Sequence, residues 1–312
     1  MKRIPTKAPG GFKSVCREMW LKKELYLLVL PVLLYYFLFH YKPMYGLIIS
    51  FMDFSPRRGI SGSPWVGLEH FVNFFQSVYF GRLLTNTLRI SLSTLIIGFP
   101  APIILALLMN ELKSKAFSRV SQTVTYMPHF VSLVVICSMI REFVKSDGFI
   151  TQFLSAVLGF EEKNLLSTAS NFVPIYVISD IWQGIGWGSI VYLAALTAVD
   201  MELYEAARID GANRWKQTLH VTLPGILPTI IIMFIMRLGQ VMNVGYEKII
   251  LLYNEGIYET ADVISTYVYR MGLVNRQYSF SAAVGLFNAV INFALVVLAN
   301  KISKKASDTS LW

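Results

Sequence analysis

Six stretches of this chain contain no Asp, Glu, Lys or Arg: residues 25–41, 90–110, 120–140, 181–199, 217–236 and 277–300, with lengths of 17, 21, 21, 19, 20 and 24 residues. A helix needs about 20 mainly apolar residues to cross a hydrocarbon core of roughly 30 Å. In lipid, only an element that satisfies its own backbone hydrogen bonds can make that crossing. The pattern therefore predicts an all-α integral membrane bundle of six transmembrane helices. The fourth is expected to begin earlier, near Phe172, with Asp180 inside it, and the fifth to continue past Arg237 to about Tyr246. Composition agrees: 54% of residues are hydrophobic and 15% charged, against about 25% charged in soluble chains.

The first run follows Lys22 and Lys23, as a secretory signal would. It contains Pro31 and bulky tyrosines, and Lys42-Pro43-Met44 stands where small cleavage-site residues would be needed, so a retained helix is expected. Six spans put both termini on one side, and the basic residues indicate which. The segments before span 1, between spans 2 and 3, between spans 4 and 5 and after span 6 hold 16 Lys and Arg, against 10 in the three opposite loops. The richer side is cytoplasmic. The net charge of +9, carried largely by Lys2, Arg3, Lys7, Lys13, Arg17, Lys22 and Lys23 and by Lys301, Lys304 and Lys305, is then a topology signal. It gives no support to nucleic-acid binding. The division expected is a basic cytoplasmic segment over 1–24, one membrane domain over 25–300 with a cytoplasmic loop at 200–223, and a cytoplasmic tail over 301–312. Cys16 and Cys137 lie too far apart in character and sequence to suggest a disulfide or metal framework.

The 200–223 loop contrasts with the membrane segments around it. Asp200 suits the N-cap of a helix through about Ile209, Gly211 the left-handed residue that ends it, and Asn213 the cap of a second helix running to Thr222 before Pro224 opens span 5. This is a helix, a tight turn and a helix, with small residues (Ala206, Ala207, Gly211) beside charged ones (Glu205, Arg208, Asp210, Arg214). The same residues resemble the EAA motif of membrane subunits of binding-protein-dependent ABC importers: Glu-Ala-Ala, three residues, Gly, nine residues, Ile, one residue, Leu-Pro. Glu205, Ala206, Ala207, Gly211, Leu223 and Pro224 match in register, with Val221 at the Ile position. The segment from Trp65 to Phe75, Tyr126-Met127-Pro128 and the run from Ile181 to Ser189 extend the likeness to the MalF-like, LplB-type branch that handles oligosaccharides. The chain departs from the maltose permease in lacking its extra N-terminal spans and large external domain.

The resemblance implies that the loop is a coupling helix seated in a cytoplasmic ATPase, with Glu205, Ala206, Ala207, Arg208, Asp210, Gly211 and Arg214 at the contact. It implies a second permease subunit of similar fold, two ATP-binding subunits, an external solute-binding protein and a sugar substrate, all at the bacterial plasma membrane. No Gly-x-x-x-x-Gly-Lys-Ser/Thr loop is present, so ATP and Mg belong to the partner ATPase and no cofactor is expected on this chain.

Polar residues inside spans by default face protein or a water-filled path. Span 4 sets Tyr176, Asp180, Gln183 and Trp187 on one helical face, span 5 sets Met236, Gln240, Asn243 and Glu247 beside Arg237, and span 6 sets Ser281, Gly285, Asn288 and Asn292. One reading is a translocation path in which amides and carboxylates meet sugar hydroxyls and Tyr176 and Trp187 stack on pyranose faces. The other is interhelical glue, at about 0.6–2 kcal/mol for each bond. Glue is favoured for Asn288 and Asn292, and a structural ion pair is favoured for Asp180 with Arg237. Helix packing is favoured for Gly184, Gly186 and Gly188, and a packed or surface position for His220. No Ser-His-Asp constellation or metal-ligand spacing supports enzyme chemistry. The competing function is a stand-alone ion-coupled transporter with Asp180, Arg237 and Glu247 as its relay.

Overall fold

The computed structural model describes residues 20–159, 161–307, 310 and 311. Cys16 and the basic positions Lys2, Arg3, Lys7, Lys13 and Arg17 lie outside these. Counting helical turns that run on without a break, the main elements are α1 (Lys23–Phe51), α2 (Glu69–Gln76), α3 (Phe80–Asn110), α4 (Lys115–Phe130), α5 (Leu133–Val144), α6 (Phe149–Leu158), α7 (Phe172–Leu196), α8 (Met201–Ile209), α9 (Arg214–Leu238), α10 (Tyr246–Leu252), α11 (Ile264–Tyr269) and α12 (Tyr278–Ser307). Among the described residues the only strand-like pairing is one antiparallel bridge, Met52 to Trp65. Four helices (α1, α3, α9 and α12) are individually long and apolar enough to cross a bilayer. Two bent pairs could add one span each, giving between four and six.

The central helix is α7, which begins at Phe172 as the sequence suggests and packs against α3, α4 and α9. Its approach to α4 depends on Gly186, because a Cβ there would run into the backbone carbonyl of Thr125. Gly188 lies against Pro102, while Gly184 has open space beside it. A core built on Ile90, Ile136, Tyr176, Val177 and Ile249 ties α3, α5, α7 and α10 together. A second, with Ile103, Tyr192 and Ile226, joins α3, α7 and α9 nearer the 200–223 loop. By contrast, none of the apolar window of α1 is buried within this chain.

Several boundaries differ from the sequence expectation. The third run, expected as one span over 120–140, is broken: the helix ends at Phe130, restarts at Leu133 and turns by 98°. Pro128 lacks an N–H and opens a tight 3-10 turn over Met127–Phe130, and Ser132, in extended backbone, accepts a hydrogen bond from the Val135 N–H to start the new helix. The fifth span does not reach Tyr246; it ends at Leu238. Gly239 packs against Val296, and the backbone groups freed at Met242 are taken up by α12: Met242 N–H donates to Asn292 Oδ1 at 3.0 Å, and Asn288 Nδ2 donates to the Met242 carbonyl at 3.4 Å. Gln240 and Asn243 therefore sit in a turn, not on a helical stripe with Met236 and Glu247. The second helix of the 200–223 loop does not stop before span 5 but runs into it through a π turn at Thr218–Thr222.

The helices built on the first, second and sixth charge-free runs, α1, α3 and α12, extend beyond them. Arg82, inside α3, is accommodated because it faces Asp262 at 3.6 Å. That carboxylate is fully buried and also receives Arg270 at 2.6 Å and Thr266 Oγ1 at 2.8 Å, while Asn86 Nδ2 donates to the Asp262 and Glu259 carbonyls at 2.9 Å each. The network fastens the segment around α11 to the start of α3. A carboxylate removed from water needs this many partners.

Candidate functional site

Two places carry the chemistry the sequence singles out, and the first is the 200–223 hairpin. Asp200 Oδ1 accepts from the Glu202 N–H at 2.9 Å, Asn213 Oδ1 accepts from the Lys216 N–H at 2.9 Å, and Gly211 sits at φ +75° between the two helices. That backbone angle costs an L-residue roughly 1–2 kcal/mol. Gln217 Nε2 donates to the Ala212 carbonyl at 2.8 Å, Tyr204 meets Thr222 Oγ1 at 2.9 Å, and Arg214 reaches Glu111 at the end of α3 at 2.6 Å. These contacts hold the hairpin rigidly against the membrane helices. Its outer surface is exposed, including Glu205, Ala206, Arg208, Asp210 and Gly211. Ile209 is 87% and Trp215 69% exposed. Arg214 is thus engaged within the chain, while the other six positions expected at an ATPase contact lie on or beside the open face.

The second place is a line of cavities around Asp180. One of about 310 Å³ lies between α3, α7 and the 239–245 turn, one of about 290 Å³ between α7 and α10, and one of about 190 Å³ between α3, α7 and α9. All three have Asp180 in their walls. Asp180 is held between two cations, with Lys248 Nζ at 3.5 Å from Oδ1 and Arg237 at 3.9 Å from Oδ2. Lys248 is 3% exposed, donates to the Tyr176 carbonyl at 3.3 Å, and lies 4.8 Å from the centre of the Tyr176 ring. Gln183 and Glu247 line the α10 side, and Gln240 and Asn243 line the 310 Å³ cavity, with Asn243 Nδ2 donating to Gln240 Oε1 at 3.2 Å.

Six of the eight predicted path positions therefore come together: Tyr176, Asp180, Gln183, Gln240, Asn243 and Glu247. Trp187 does not join them; it stacks on His129 of α4 at 4.6 Å. Asn288 is buried against Met242 and lines none of the three cavities. Tyr176 is buried under Lys248, which leaves little of its ring for a ligand to stack on. Lys248 is the residue that sequence reasoning missed, because it was counted as one external-loop cation among ten. The available signal was its position at the head of the apolar run Ile249-Ile250-Leu251-Leu252.

These features define a class: an α-helical membrane transport component, with a line of cavities around Asp180 inside and a capped hairpin presented outside the bundle. The chain belongs to the family of binding-protein-dependent transport system inner membrane components, whose model matches residues 98–308. It is 43% identical over 291 residues, 93% of this chain and 91% of the relative, to the polygalacturonan/rhamnogalacturonan transport system permease protein YteP of Bacillus subtilis. It is 44% identical over 297 residues, 95% of this chain and 92% of the relative, to Protein LplB of the same organism. In structure it is similar to a chain of the bacterial alginate ABC transporter solved in complex with alginate pentasaccharide-bound periplasmic protein, with TM-score 0.87, 40% identity and coverage of 97% and 100%. This chain is thus a transport component and not an enzyme, as the sequence reading has it.

Proposed function

We propose that this chain is one half of the translocation path of an ATP-driven importer for an oligosaccharide. In this reading it crosses the bacterial plasma membrane six times, with the bent helices α4–α6 and α7 supplying the third and fourth spans and both termini in the cytoplasm. A second permease of similar fold completes the path, an external solute-binding protein delivers the sugar, and two cytoplasmic ATPase subunits with ATP and Mg drive the cycle. The sugar assignment draws on the relatives and on the amides and carboxylates in the cavity walls, which suit hydroxyl groups.

The observation that carries the coupling role is the exposed hairpin. Ile209 and Trp215 are exposed on the same hairpin as Glu205, large apolar side chains that a docked partner would cover. The caps at Asp200 and Asn213, and the anchors at Tyr204 and Arg214, let a push on the hairpin reach α9 as a rigid displacement. The hairpin transmits force and performs no chemistry. Glu205→Lys in the assembled importer should abolish uptake while the external binding protein still captures the sugar; normal uptake in that variant would contradict the assignment.

A further inference from the structure

An apolar cavity of about 610 Å³ lies on the side of α7 away from Asp180, between α5, α6 and α7. From α7 come Pro174, Ile175, Ile178 and Trp182, a row at helical spacing that stands roughly opposite Tyr176, Asp180 and Gln183. α5 contributes Met139 and Phe143, and α6 contributes Ile150 and Leu154. Polar groups are few. The Ser179 hydroxyl donates to the Tyr176 carbonyl at 3.0 Å, which leaves Asn171 at the start of the row and the Trp182 ring at its end. Such a lining suits hydrocarbon and not water, which needs two to four polar partners.

The dimensions choose among hydrocarbon occupants. From Asn171 to Trp182 the lining follows α7 for 11 residues, about 16 Å of helix, close to one leaflet's share of a hydrocarbon core of roughly 30 Å. Spread over that length, 610 Å³ gives a mean cross-section of about 40 Å². A helix with its side chains is about 10–12 Å across and needs about 80–110 Å². A helix of another subunit is therefore too thick, whereas an acyl chain is a single file of methylenes.

α6 supplies an independent observation. Its 10 residues span about 15 Å, too short to cross a bilayer. Exposed charges flank it on both sides, Glu142, Lys145 and Asp147 before it and Glu161 and Lys163 after it. Both ends therefore stay at the water, and the helix lies along the membrane surface. Phe149, Phe153 and Val157, four residues apart, form an exposed apolar row for the headgroup boundary, while Ile150 and Leu154 line the cavity. The Asn171 end of the cavity is also the end of α7 far from the 200–223 hairpin. A lipid of that leaflet keeps its headgroup beside α6 and lays its chain against α7.

From this geometry we infer a lipid site: one acyl chain of a phospholipid, from the leaflet opposite the hairpin, occupies the cavity between α5, α6 and α7 and braces the back of the helix that carries Asp180. The inference rests on the membrane-spanning reading and does not depend on the transported solute being a sugar.

The test uses the chain purified in detergent with the subunits it brings from its native membrane. Native mass spectrometry then counts the phospholipid that stays bound after excess lipid is washed away. The wild type should retain a phospholipid. Leu154→Trp, which fills the cavity from α6, should lower its occupancy at least roughly tenfold, the worth of two methylenes driven from an apolar site. Ile96→Trp, at an exposed position of α3 outside the cavity, should leave occupancy unchanged. No retained phospholipid in the wild type, a free fatty acid in its place, equal occupancy in wild type and Leu154→Trp, or equal loss in Leu154→Trp and Ile96→Trp would overturn the inference. If the Leu154→Trp complex does not assemble, Met139→Trp narrows the same cavity from α5, and undiminished occupancy in that variant overturns it too. A photoreactive side chain at Ile178 decides between lipid and protein occupants: a phospholipid adduct is expected, and a crosslink to another subunit refutes the site.

Discussion

Asp180→Asn offers the sharpest test of how the polar centre is held together. Lys248 is 3% exposed, and its ammonium has one carbonyl at 3.3 Å and one carboxylate at 3.5 Å. Removing the charge of a buried partner costs about 3–5 kcal/mol when both groups are sealed from water. The Asp180 side chain is 36% exposed and its contact is long, so about 2–3 kcal/mol is the expected loss once solvent screening is allowed for. For a chain of this size that corresponds to a fall of about 3–5 °C in the thermal midpoint, measurable by heating the detergent-purified complex and following its monodispersity. Lys248→Met keeps an unbranched side chain of similar length without the charge, so the double variant buries no ammonium and should be more stable than Asp180→Asn alone. An Asp180→Asn midpoint within 1 °C of wild type, or a double variant whose loss equals the sum of the two singles, would refute the idea that Asp180 neutralises Lys248.

Further outcomes follow from packing and backbone bonding. Gly186→Leu should stop the chain accumulating in the membrane, because α7 could no longer approach the Thr125 backbone, whereas Gly184→Ala, with open space beside it, should accumulate normally on an immunoblot. Asn292→Leu removes the acceptor for the buried Met242 N–H and should cost about 1–3 kcal/mol, read as a lower thermal midpoint, with Asn292→Asp retaining more stability than Asn292→Leu.

The parts legible in the sequence were those set by local rules. Asp200, Gly211 and Asn213 specify the hairpin through caps and a left-handed turn, and they do so in the structure. The start of α7 at Phe172 and the clustering of Tyr176, Asp180 and Gln183 likewise follow from helical period. The misreadings came from tertiary contacts. Nothing local announces that α12 will offer Asn288 and Asn292 to Met242, so the chain after Leu238 reads as continuing helix when it is a braced turn. Counting charge-free residues also started the second span at Ile90, just after Arg89, whereas α3 begins at Phe80 and holds Arg82 opposite Asp262, 180 residues further on. Lys248 was hidden for a similar reason: a lysine in a loop is ordinarily solvated, and only the fold presses this one against Tyr176 and Asp180. Trp187 stands apart from the group around Asp180 because its stacking partner, His129, lies on another helix.

Affinity purification of this chain from its native membrane, with identification of everything that accompanies it, tests the central claim most directly. The account predicts a second permease of similar size, an ATPase that binds ATP and Mg, and an external binding protein carrying an oligosaccharide. Recovery of the chain alone, with uptake in vesicles driven by an ion gradient and indifferent to ATP, would contradict it.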